Sequence, residues 1–169
     1  VESEPGKGSV FRVFLPVVEE GTCAETNRPT EGPTCAGHGT VLVAEDEAAG
    51  RRVLVLSLQR LGFEVLAAKD GVEAVEIFRE QRHRIQCVLC DLTMPRMNGW
   101  ETLAALRELS PNIPVILASG YSEPHAMAGS QGALPNAFLG KPYPMRELIE
   151  TITKVMSVEK RTGEDEGRA

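Results

Sequence analysis

Five short apolar runs, each followed by a segment with a helical stripe, constrain this chain more than any other feature. The runs are TVLVAE (40–45), FEVLAA (63–68), CVLCD (87–91), IPVILAS (113–119) and the weaker AFLGK (137–141). Apolar periodicity places helices between and after them, at about 47–61, 71–82, 99–109, 123–130 and 144–157. Leu54, Leu58 and Leu61 form the stripe of the first, and Leu103, Leu106 and Leu109 that of the third. Leu148, Ile149, Ile152 and Val155 mark the fifth, whereas Gly129 and Gly132 weaken the fourth. Strands alternating strictly with helices call for a parallel sheet covered on both faces. Right-handed crossovers then favour an α/β, doubly wound arrangement.

Charge and cysteine usage narrow the function classes. The net charge is -6, and no cluster of Lys or Arg supports electrostatic binding to nucleic acid. No apolar run reaches the length of a membrane span, so no membrane contact is expected. Cys87 and Cys90 form a C-x-x-C, but within a strand three residues of separation put the thiols on opposite faces. Cys23 and Cys35 have no zinc-like spacing. Reduced cysteines of a cytoplasmic protein are the expectation.

In doubly wound sheets, ligands sit at the carboxyl ends of the strands, near the point where strand order reverses. The runs end at Glu45-Asp46, Asp91, Ser119 and Lys141-Pro142. Parallel strands bring these groups to one rim. Carboxylates gathered there repel unless a cation lies among them, and hard oxygen ligands suit Mg²⁺. Lys141 adds a compact positive charge and Ser119 a hydroxyl. Such a set binds the oxygens of a phosphoryl group, which is most of what phosphoryl transfer requires.

Residues 40–157 resemble the receiver domain of two-component response regulators. Glu45-Asp46, Asp91 within DLTMPRMNG, Ser119-Gly120 and Lys141-Pro142 stand in that family's order and approximate spacing. The resemblance implies a flavodoxin-like, five-stranded sheet of order 2-1-3-4-5. It further implies that Asp91 accepts the phosphoryl group, with Asp46 a direct Mg²⁺ ligand, Glu45 a holder of metal-bound water and the Thr93 backbone carbonyl a further ligand. Ser119 and Lys141 would bind phosphoryl oxygens, and Phe138 fills the position of the family's switch aromatic. That aromatic is often tyrosine, and phenylalanine donates no hydrogen bond.

The front of the chain reads differently. SEPGKGSVFRVFLP contains a turn signal at Pro5-Gly6-Lys7-Gly8 and an alternating strand from Val10 to Leu15. It resembles the closing hairpin of the ATP-binding domain of sensor histidine kinases, so residues 1–18 are expected to be its remnant. GKGS is not a P-loop, because Gly8 follows Lys7 where Ser or Thr is required. Residues 19–39, rich in Gly, Pro and Thr, read as a flexible linker, and 158–169 as a disordered acidic tail. The whole looks like the C-terminal end of a hybrid histidine kinase, whose parent can be membrane-anchored. The implied partners are a phosphohistidine of a kinase domain and a histidine-phosphotransfer protein. Two alternatives are a degenerate receiver serving only as an interaction module and a haloacid-dehalogenase-like phosphatase. The second wants Asp-x-Asp at the nucleophile, where this chain has Thr93.

Overall fold

The computed structural model describes residues 2–4, 6–14, 37–120 and 134–165, and the chain divides into two units at Pro33/Thr34. In the first unit, β1 (Glu2–Glu4) pairs antiparallel with β2 (Gly8–Val10) across a turn closed by Lys7 N–H donating to Glu4 O at 3.0 Å. The expected strand at Val10–Leu15 is corrected here: pairing ends at Val10, and Phe11, Val13 and Phe14 are exposed. The left-handed glycines Gly6 and Gly8 set the turn, so register begins at Gly8 rather than two residues later.

The second unit holds β3 (Thr40–Ala44), α1 (Ala48–Arg60), β4 (Glu64–Ala68), α2 (Gly71–Gln81), β5 (Ile85–Asp91) and α3 (Gly99–Leu109). It continues with β6 (Val115–Ser119), β7 (Ala137–Gly140) and α4 (Met145–Asp165). The sheet runs β4-β3-β5-β6-β7 with every neighbouring pair parallel. Counted from its first strand, that is the expected order 2-1-3-4-5. Every residue of β3 and β6 is buried, which is why these strands read as unbroken apolar runs. Pro114 stays outside β6; it has no N–H for the ladder, and its carbonyl accepts from Val88 N–H at 2.8 Å.

Two cores flank the sheet. One face packs Leu42, Val88 and Leu117 against Phe78 of α2 and Leu103 and Leu106 of α3. The other packs Val41, Val43 and Ile116 against Leu54 and Leu58 of α1 and Leu148 and Ile152 of α4. Leu103, Leu106, Leu148 and Ile152 are fully buried, each worth about 2 to 3 kcal/mol by transfer from water. Cys87 and Cys90 fall in opposite cores, as the strand period requires. The helix expected at 123–130 lies outside the described residues. The tail boundary at 157 is also corrected, since α4 continues to Asp165. Its packed apolar face runs only to Met156, but Glu, Lys and Arg are good helix formers, and a helix anchored by packing extends through them.

Candidate functional site

The helix faces switch between β3, which leads into α1, and β5, which leads into α3. The carboxyl ends of these two strands therefore open a crevice. Beyond the end of β3, Glu45 N–H still donates to Ala68 O at 3.1 Å, so the first acid is held in line with the sheet. Arg51, in the first turn of α1, donates to the backbone carbonyls of Glu45 at 2.6 Å and Asp46 at 3.2 Å. That grip occupies the carbonyls and leaves both carboxylates to the crevice. Glu45 is buried and Asp46 exposed.

Asp91 closes β5. Its Oδ1 accepts from Thr93 N–H at 3.3 Å, and its Oδ2 from Lys141 Nζ at 2.8 Å. Lys141 is set by the opposite edge of the sheet, where its N–H donates to Ser119 O at 2.7 Å just past β7. The same Nζ donates to Glu45 Oε2 at 2.7 Å, so one ammonium joins the ends of β3, β5 and β7. Burial works against the Lys141 charge, but the hydrogen bonds and negative charges of Asp91 and Glu45 outweigh it, and its pKa is raised. Glu45, Asp46 and Asp91 each offer an oxygen within 4.8 Å of the others. Hard oxygens at that separation match the preference of Mg²⁺ for a few carboxylates plus water.

Ser119 is 3% exposed at the end of β6. Leu117 pairs with Phe138 and Ser119 with Gly140, so the hydroxyl and the Phe138 ring share the α3 face of the sheet. Phe138 meets Trp100 edge-on, with ring centroids 5.7 Å apart and planes at 61°. Thus Glu45, Asp46, Asp91, Thr93, Ser119 and Lys141 come to one rim, with Phe138 two residues inside it.

One acid escaped the sequence reading. β4 seemed to end without a polar group, yet Asp70 follows two residues later and is 3% exposed. Its Oδ1 caps α2 by accepting from Glu73 N–H at 3.0 Å, and its Oδ2 accepts from Arg96 Nε at 2.9 Å. The signal was present as Asp-x-x-Glu before an amphipathic run.

Cys90 lies beneath the rim. Burial, reinforced by the neighbouring Asp91 charge, pushes its thiol up to about 12. A thiol so protonated is a poor nucleophile. Native alkylation with iodoacetamide followed by peptide mapping should leave Cys87 and Cys90 unmodified, whereas unfolding in guanidinium should expose both. Label on either in the native chain would contradict the buried placement.

Comparison with known proteins agrees with this geometry. The family model described as the response regulator receiver domain matches residues 41–153. Sensor kinase CckA of Brucella abortus is 35% identical over 162 residues, covering 92% of this chain and 17% of that protein. Sensor protein EvgS of Escherichia coli is 32% identical over 116 residues, 68% of this chain and 10% of its own length. The chain thus spans a small part of these curated relatives. Among solved structures, the receiver domain of hybrid histidine kinase CckA is 33% identical with a TM-score of 0.59, covering 70% of this chain and 99% of that one. Response regulator TrrA of Thermotoga maritima, in complex with Mg²⁺-BeF, is 26% identical with a TM-score of 0.60 and the same coverage. On the extent of the family match and the shared fold, the chain belongs to the response regulator receiver domain family of two-component systems.

Proposed function

We propose that Asp91 is the phosphoryl acceptor of this receiver, taking the group from a phosphohistidine of a kinase domain. The single observation that carries this is the Lys141 ammonium bonded to Asp91 and Glu45 at once, beside Asp46, at the switch point of the sheet. A carboxylate oxygen of Asp91 forms the new O–P bond as the donor's P–N bond breaks. The departing imidazole nitrogen keeps the electron pair and takes a proton from water. Thr93 N–H and Lys141 fix the two oxygens of Asp91 before reaction, so little reorientation is required. Lys141 and the Ser119 hydroxyl then balance charge on the transferred oxygens.

Glu45, Asp46, Asp91 and the Thr93 carbonyl would hold Mg²⁺, as the donor set and the Mg²⁺-BeF complex of TrrA both support. The ion supplies positive charge to the phosphoryl oxygens. Ser119 and Phe138 form the switch in this reading: a hydroxyl drawn to the new phosphoryl group leaves room on the α3 face, where Phe138 now rests on Trp100. Residues 1–18 are the end of a kinase ATP-binding domain, 19–39 a linker, and the parent a hybrid histidine kinase. The alignment with sensor kinase CckA supports this, since it extends well beyond the receiver match. A histidine-phosphotransfer protein is the proposed onward acceptor. Among the described residues no helix is long and apolar enough to cross a membrane. Cytoplasmic placement is part of the proposal.

The test is intact mass after incubation with acetyl phosphate and Mg²⁺, followed by mapping of the modified residue. One added phosphoryl group, labile to hydroxylamine and located on Asp91, is expected. No gain, or a gain on another residue, would overturn the assignment.

A further inference from the structure

The loop from Leu92 to Asn98 carries Thr93 past Asp91, and its backbone is not relaxed. Arg96 has φ 66, and Met97 N–H donates to Pro95 O at 2.8 Å across it. An i→i+2 hydrogen bond around a residue of positive φ is the strained form of the γ-turn, a state that L residues other than Asn and Asp rarely adopt. Such strain persists only where the surroundings impose it. Here the surroundings are α2. Arg96 Nε donates to Asp70 Oδ2 at 2.9 Å, and Nη2 donates to the same oxygen. Asp70 is buried and spends its other oxygen on Glu73 N–H, so it is fixed to the first turn of α2. The packing says the same independently: a Cβ on Gly71 would lie 2.7 Å from Met97 O and 2.0 Å from Thr102 Oγ1. The start of α2 and the acceptor loop are therefore in direct contact.

We propose that Arg96 and Asp70 are a positioning pair that clamps the acceptor loop onto α2 and so holds the Thr93 backbone beside Asp91. The inference rests on Asp91 being the acceptor. Arg96 touches no reacting atom; it acts through Met94 and Pro95, the two residues that separate it from Thr93. At the other end the loop is pinned by Leu92 N–H on Ala118 O at 2.8 Å and Gly99 N–H on Leu92 O at 2.9 Å. Between these pins the ion pair is the one side-chain tether among the described hydrogen bonds that reaches another element from 93–97.

The experiment measures phosphorylation of the full chain by acetyl phosphate at saturating Mg²⁺ for Arg96→Gly, Arg96→Lys, Asp70→Asn and the Asp70→Asn/Arg96→Gly double variant. Arg96→Gly relaxes the turn while removing the guanidinium. Asp70→Asn keeps a cap for Glu73 but loses the charge. Each should lower the maximal rate about tenfold without changing the half-saturating acetyl phosphate concentration, as loss of positioning does. The double variant should be no slower than the slower single one, because both remove the same tether. Arg96→Lys, which keeps charge and strain but not the planar donor group, should fall between. Wild-type maximal rates in the Arg96 variants, or losses that multiply in the double variant, would overturn the pair. A lowered melting temperature with an unchanged maximal rate would do so too, since that is a structural contact only. Should Asp70→Asn fail to fold, the two Arg96 variants decide alone. Asp91→Asn is run alongside: label on it would refute the acceptor, whereas no label there with unaffected Arg96 variants refutes only the pair.

Discussion

An Asp91→Asn chain treated with acetyl phosphate and Mg²⁺ is expected to gain no phosphoryl group, and Lys141→Ala to gain one about a hundredfold more slowly than the unsubstituted chain. The two losses differ in kind. Asparagine keeps the shape and an oxygen for Thr93 N–H, but its amide has no anionic nucleophile, so the new O–P bond cannot form. Alanine at 141 leaves the nucleophile intact and removes the cation that bonds Asp91 at 2.8 Å and Glu45 at 2.7 Å. Their stabilities should diverge as well. Without divalent metal, Asp91→Asn removes one of three crowded carboxylates while Lys141 keeps Glu45, so melting should change little. Lys141→Ala strands two buried carboxylates and should cost about 2 kcal/mol, below the usual range for breaking a fully buried pair because Lys141 is partly exposed. The pH dependence has a definite sign. The folded pKa of Lys141 is raised above its unfolded value of about 10.4, so its contribution is complete below that pH and fades as pH rises through the folded value. The stability gap between Lys141→Ala and the unsubstituted chain should therefore be flat through neutral pH and close only under strong alkali. A gap that closed near pH 6 would point to another group, and undiminished labelling of Asp91→Asn would move the acceptor elsewhere.

The strands were legible because both faces of a parallel sheet are buried: β3, β5 and β6 stand out as apolar runs without any model of their packing. The start of α3 carries a signal in the sequence that periodicity does not use. At α3, Asn98 accepts from Glu101 N–H at 3.0 Å while Glu101 Oε2 accepts from Asn98 N–H at 2.8 Å, a local signal that needs no tertiary context. Glu45, Asp46, Asp91, Ser119 and Lys141 could be read off because strand ends converge by topology, whereas Thr93 came only from the family resemblance. The cap role of Asp70 was open to reading from Asp-x-x-Glu, but its bond with Arg96, 26 residues away and at a positive φ that no periodicity reveals, was not. Nor could the extent of α4 be read, because its stripe ends before its backbone does. Phe138 belongs to the packing as well as to the rim: it is partly buried against the α3-side core and meets Trp100 edge-on.

Gly99→Ala is expected to cost about 3 kcal/mol and lower the melting temperature by about 10 °C, through one methyl group. Gly99 opens α3 and is buried against the end of β5, beside Asp91. A Cβ there would sit 2.7 Å from Asp91 O and 2.8 Å from Leu92 Cα. Both neighbours are backbone, and Leu92 is held on both sides, its N–H donating to Ala118 O and its carbonyl accepting from Gly99 N–H. No rotamer can relieve the clash, so either α3 lifts away or the end of β5 shifts. If β5 shifts, Asp91 moves relative to Lys141, and phosphorylation of the folded fraction should slow as well. Gly50→Ala is the matched control. Its Cβ would meet nothing closer than the Glu45 carboxyl carbon at 3.6 Å, an ordinary contact between α1 and the end of β3. There the substitution should raise stability by about 0.5 to 1 kcal/mol, the usual gain of alanine over glycine within a helix. Thermal melts of the two variants in the same buffer should therefore move in opposite directions. Equal shifts would show that helix propensity, rather than the close approach of α3 to Asp91, governs the glycine at 99.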